Sequence, residues 1–151
     1  MAFYTDVFTS FASRQRLGTR RRDRAGNEYI FLSGASSMAA GDAVLYDEAF
    51  AATRSLQATQ GPLAVAMAAV DATTDYGWFQ IWGRATVNVL ASFADNGDVF
   101  TTSTAGSLDD SGAGAEEYVF GAVGRSAIDT PSTGKAYIQL SYPWKGKSNL
   151  D

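Results

Sequence analysis

The sequence predicts an all-β fold, a small antiparallel β-sandwich or barrel with an extended N-terminal arm. Three observations predict it. Short β-prone segments recur at near-regular spacing with Gly, Asp, Asn and Ser between them, and helix signals are few. Leu63 to Val70 alternates large residues with alanine at period two, which fits a strand packed on both faces, one of them crowded. The length, 151 residues, suits one domain. Charge divides it into an Arg- and Phe-rich arm, residues 1–24, and a β-rich body, residues 25–151.

Within the arm, Phe3, Val7, Phe8 and Phe11 recur at helical spacing after Thr5 or Asp6 as an N-cap, and Gly18 supplies a stop. A short amphipathic helix is therefore expected there, although one this short is marginal alone. From Thr19 the pattern turns to β: Thr19–Arg24 and Glu28–Leu32 form a hairpin around Ala25-Gly26-Asn27. Ala43–Tyr46 follows as a strand, while residues 47–58 fit either a helical turn or a surface loop. Tyr76–Trp82 and Arg84–Leu90 are the most β-prone stretch, joined tightly at Gly83. Val99–Ser103, Tyr118–Val123 and Lys135–Tyr142 complete the strands, with turns such as Asp95-Asn96-Gly97-Asp98 between them.

Composition narrows the chemistry. The chain has no cysteine and no histidine, so it lacks thiolate nucleophiles, imidazole bases and the usual zinc ligands. No cofactor, no metal and no enzymatic activity are expected. Ala, Gly, Ser and Thr make up 44% of the residues, leaving a thin core that depends on nine Phe, seven Tyr and three Trp. A core of this kind gains from assembly. The opening residues show no leader peptide, and no apolar run approaches membrane-spanning length, so no membrane partner is expected.

The net charge of −4 conceals an asymmetry: residues 1–28 carry +3, and residues 29–151 carry −7. Six arginines fall between Arg14 and Arg24. Arginine suits bidentate pairing with carboxylates or phosphates at an interface. The arm's Phe3, Phe8, Phe11, Arg14, Arg16, Arg20, Arg21, Arg22 and Arg24 are accordingly the candidate partner-binding residues. The bland alternative is a solvated arm with phenylalanines that complete the core.

Other constellations fall short. Adjacent acids in Asp47-Glu48, Asp109-Asp110 and Glu116-Glu117 would point to opposite strand faces. Asp95-Asn96-Gly97-Asp98 lacks the remaining spacing of a calcium loop. Gly41-Asp42 and Gly97-Asp98 both open strands, which is ordinary turn chemistry. Trp78, Trp82 and Trp144 are residues that stack sugars, but Trp78 and Trp82 share one strand face at i, i+4 and read as core or subunit interface.

Leu17-Gly18-Thr19-Arg20-Arg21-Arg22-Asp23-Arg24-Ala25-Gly26-Asn27-Glu28-Tyr29-Ile30-Phe31-Leu32 resembles the opening of tailed-phage capsid decoration (cement) proteins. The resemblance continues through Gly41-Asp42-Ala43-Val44, Gly61-Pro62-Leu63-Ala64-Val65-Ala66 and Tyr76-Gly77-Trp78-Phe79-Gln80-Ile81-Trp82-Gly83-Arg84-Ala85. It extends over Asn96-Gly97-Asp98-Val99, Gly121-Ala122-Val123-Gly124-Arg125-Ser126-Ala127 and Gly134-Lys135-Ala136-Tyr137-Ile138-Gln139-Leu140, and so covers most of residues 17–142. Residues 1–13 and 47–60 depart from the pattern. The resemblance implies a non-enzymatic protein on the exterior of a phage head that clamps neighbouring capsomers. Its implied partners are the major capsid protein and other copies of itself, as a dimer or trimer. Two other classes fit the residues: a nucleic-acid-binding structural protein using the arginine run, which the acidic body disfavours, and a β-sandwich receptor or glycan adhesin with exposed Tyr and Trp.

Overall fold

The computed structural model describes residues 4–9, 15–56, 59–112 and 118–146. Among them the chain forms β1 (Val7–Phe8), β2 (Arg20–Arg22), β3 (Glu28–Ser33), β4 (Ala43–Tyr46), β5 (Ala52–Arg54) and β6 (Gly61–Ala66). The long β7 (Tyr76–Asn88) follows, then β8 (Phe100–Thr101), β9 (Leu108–Asp109), β10 (Val119–Gly124) and β11 (Lys135–Lys145). No helix forms among the described residues. Nine strands make one sheet with the path β2-β3-β7-β11-β6-β4-β5; β1 adds to β7 and β10 to β11. The named strands all pair antiparallel, and β8 and β9 form a small second sheet. The expected all-β, sandwich-like architecture is the one observed.

Two long strands fold this sheet over on itself. β7 pairs with β3 along residues 76–82 and with β11 along residues 82–88, and β6 crosses from β11 at Pro62 to β7 at Ala66. The result encloses two cores. Ala43, Leu45, Leu63 and Val65 face one, with Val87, Phe93, Leu108, Ile138 and Leu140. Val44, Ala64 and Ala66 face the other, with Ile30, Leu32, Phe79 and Ile81. The alternation of large and small residues in β6 thus has the expected cause, since β4 and β6 are buried on both faces.

A third cluster covers the outside of β3. Tyr29, Phe31 and Trp78 are buried there beneath Tyr4, Phe8, Met67 and Tyr76. Tyr4 stacks on Tyr29 at 3.9 Å, and Phe8 meets Phe31 edge-on at 5.8 Å. The expected helix in the arm is therefore corrected at its described part: Val7 and Phe8 are a strand, paired with Gly77 and Tyr76. A two-residue extension of an existing sheet needs no costly helical nucleus, and it still seats Phe8 on the aromatic face. Phe3 and Phe11 lie outside the described residues.

The hairpin, β4, β6, β7, β10 and β11 lie where the pattern placed them, with shifted ends. Two readings change. The segments on either side of Gly83 are one strand; Gly83 holds φ +97°, and a Cβ there would also collide with the Asn27 side chain, so the position takes glycine on both counts. Residues 47–54, ambiguous in sequence, are a turn followed by β5; the Asp47 carboxylate accepts from the Ala49 and Ala51 amides at 3.0 Å each.

The Tyr29 phenol donates to the Asp23 carboxylate at 2.9 Å. Burial first, and that hydrogen bond second, push its pKa far above the ordinary phenol value. The unfolded chain therefore loses the Tyr29 proton first, near pH 10, while the folded chain keeps it. Over that alkaline window the unfolded state binds fewer protons, so stability is whole below about pH 10 and falls as pH rises further. Urea midpoints at pH 8, 10 and 11 are expected to fall more steeply in the wild type than in Tyr29→Phe; equal slopes would contradict this.

Candidate interaction surface

β7, β10 and β11 carry Trp82, Val123, Tyr142 and Trp144, the exposed large apolar residues outside Val7, Leu17 and Leu56 among the described residues. Along β7, Ala85 and Val87 point into a core while Trp82, Arg84 and Thr86 point out. Their partners on β11 are Ser141, Gln139 and Tyr137. Directly opposed residues share a face, so these six form one outward patch. The Arg84 guanidinium lies 4.1 Å over the Tyr137 ring.

At the end of β11 the alternation slips by one residue. Ser141 and Tyr142 are both exposed, Pro143 is buried and Trp144 is exposed again. Tyr142 absorbs the slip with φ +48°, and β10 shifts register opposite it between Phe120 and Ala122. This irregularity keeps Tyr142 and Trp144 on the outward side. Tyr142 meets Trp82 at 4.9 Å, and Trp144 stacks on Phe120 at 4.5 Å. Phe120 continues to Tyr118 at 4.8 Å, and Tyr118 to Phe100 at 5.5 Å. Trp82, Tyr142 and Trp144 remain 37%, 44% and 49% exposed.

Arginines border this aromatic run. The hairpin sets Arg20 opposite Ile30 and Arg22 opposite Glu28, so both arginines share the Glu28 face, while Arg21 takes the other. The Glu28 carboxylate, largely buried, lies 3.3 Å from Arg22 and 3.9 Å from Arg20, and accepts the Tyr142 hydroxyl at 2.6 Å. Arg20 also sits 5.8 Å from the Tyr142 ring. The hydrogen bond to Glu28 raises the Tyr142 pKa above the ordinary phenol value, which keeps the hydroxyl a donor. Arg20 reaches Tyr46 as well, whose phenol is raised by burial against the opposing pull of the guanidinium. Tyr46 lines a groove of about 650 Å³ with Leu45, Phe50 and Pro62 and with Asp47 and Glu48.

Of the sequence-predicted residues, the structure brings Arg20 and Arg22 together at Glu28. Arg21 lies 5.8 Å over the Trp78 ring on the opposite side. Arg16 and Arg24 are exposed, apart from that cluster. Phe8 is committed to the aromatic cover of the body, and Arg14 lies outside the described residues with Phe3 and Phe11. The shared face expected for Trp78 and Trp82 does not hold: Trp78 is 3% exposed and Trp82 is not buried. Ile81 is an extra residue in β7 opposite the Glu28–Tyr29 step, and it resets the alternation between the two tryptophans. Tyr142 and Phe120 were missed, because their prominence comes from the slipped register rather than from residue pattern.

Among the acidic pairs, Asp47 holds its own turn and Asp110 joins two loops. Asp110 accepts the Ala94 amide at 2.9 Å, and Asn96 accepts from Arg125 at 3.3 Å. Glu116 and Glu117 lie outside the described residues. No protein-family model matches this chain, and no curated protein does.

Proposed function

We propose that this chain is a structural binding protein, a decoration (cement) protein that attaches to the exterior of a phage head and bridges major capsid protein subunits. The observation that carries the reading is the exposed run of Trp82, Tyr142 and Trp144 on a rigid sheet, bordered by Arg20, Arg22 and Arg84. Trp, Tyr and Arg are the side chains that dominate the energetics of protein contacts. The arginine run, the resemblance along residues 17–142 and the thin core all favour the same role. Many copies on one particle need only modest affinity each. The net charge of −7 over residues 29–151 weighs against a nucleic-acid partner.

The test uses phage heads assembled from major capsid protein, titrated with wild type and with Tyr142→Ala plus Trp144→Ala. Losing two central anchors is expected to weaken binding by about thirtyfold or more. Thermal unfolding of the variant should stay within about 5 °C of wild type, since both side chains are half exposed. Undiminished binding by the double variant, or no binding by wild type, refutes the reading.

A further inference from the structure

β2 is a terminal strand of the nine-stranded sheet, and among the described residues no strand pairs with its outer edge. Its inner edge is fully specified. The Phe31 amide donates to the Thr19 carbonyl at 2.9 Å, and the Asp23 amide donates to the Asn27 carbonyl at 2.9 Å. In an antiparallel ladder alternate residues turn both backbone groups toward the partner strand. Arg21, Asp23 and the Thr19 carbonyl therefore face β3, while the Thr19 amide turns back to the Arg16 carbonyl at 3.1 Å, and Arg20 and Arg22 direct their N–H and C=O groups outward. All three arginines are exposed.

We infer that this edge accepts an extended acidic segment of a partner protein, which adds to the sheet as a further strand. The edge supplies two outward N–H and C=O pairs, and arginines project from both sheet faces, Arg20 and Arg22 on one and Arg21 on the other. Glu28 offsets only one of the two positive charges on its face. The incoming strand that complements this edge carries Asp or Glu at alternate positions, opposite Arg20 and Arg22. Arginine, with its fixed fork of donors, grips such carboxylates bidentately while backbone pairing fixes the register. In the free protein the same charges repel the edge of another copy, which prevents indiscriminate sheet growth. The inference concerns the mode of docking and stands whether the partner is a capsid protein or another assembly.

The probe is a labelled octapeptide of alternating Glu and Val, followed by fluorescence anisotropy against the wild-type protein. A second peptide has the same sequence with N-methyl groups on alternate residues, which leaves charge intact and blocks strand pairing. The first is expected to bind and the second to bind about tenfold or more weaker. Arg22→Pro, which removes an outward N–H, should lose about tenfold, and Arg22→Gln, which keeps it, about threefold with a shallower salt dependence. Equal binding of the two peptides would reduce the edge to a plain electrostatic patch and overturn the inference. Absence of binding by the unmodified peptide at millimolar concentration overturns it too, as does concentration-dependent dimerisation of the protein that the peptide cannot compete away.

Discussion

Replacing Asp42 with alanine is expected to lower the unfolding free energy by about 3 to 5 kcal/mol, the cost of leaving a buried ion pair and its hydrogen bonds half made. Asp42 is 2% exposed at the start of β4. Its carboxylate accepts from the Ala39 amide at 2.9 Å, from Arg54 Nε at 2.9 Å and from Asn88 Nδ2 at 2.8 Å. Asn88 in turn accepts from Lys135 Nζ at 2.5 Å, and that ammonium also donates to the Ala40 carbonyl at 3.1 Å. One side chain thus ties β5, β7 and β11 to the turn before β4. Gly106 closes over it with φ +80°, where a Cβ would stand 2.6 Å from the Asp42 carboxyl carbon. Urea unfolding gives the loss directly, and a double-mutant cycle with Arg54→Met should show that a large part of it is coupling between the two charges. A loss below about 1 kcal/mol would mean that water replaces these bonds.

The second large effect is expected at Phe31, which is fully buried on β3 between Phe8, Tyr76 and Trp78. Phe31→Ala is expected to cost about 3 to 5 kcal/mol, because the surrounding rings belong to rigid strands and cannot collapse into the space. The loss should be felt in the N-terminal segment as well. Phe8 rests on Phe31, so amide exchange at Val7 and Phe8 should accelerate beyond what the global loss accounts for. Unchanged relative protection at those two amides would show that β1 is held by its backbone bonds to β7 alone.

The sheet was legible in sequence wherever strands were long enough to alternate. The alternation of Leu63–Val70 announced burial on both faces, which holds as far as Ala66, and the Gly26-Asn27 turn between Arg22 and Glu28 announced a hairpin. β1, β5 and β9 escaped because two or three residues cannot establish a period. The arginine cluster was legible as charge, but its division between two faces depends on the register with β3. The aromatic surface was harder to read. Trp78 and Trp82 differ in burial because of one extra residue at Ile81, and Tyr142 is displayed because β11 slips at Ser141. Neither irregularity has a signature in residue type. Asp42 illustrates the opposite difficulty: Gly41-Asp42 and Gly97-Asp98 look alike, yet Asp42 is buried and charged-paired whereas Asp98 is exposed. Which turn aspartate becomes a hub is decided by Arg54 and Asn88, residues far along the chain.

β4 and β6 form a party wall between two rooms. Val44 and Ala64 belong to one core, Leu45 and Leu63 to the other, within the same short strands. Neither room can be opened while the other stays intact, because removing the wall exposes both. A chain with so few large aliphatic residues thereby makes each buried strand count twice. It gives up the freedom to melt one core without the other, so the two are lost together.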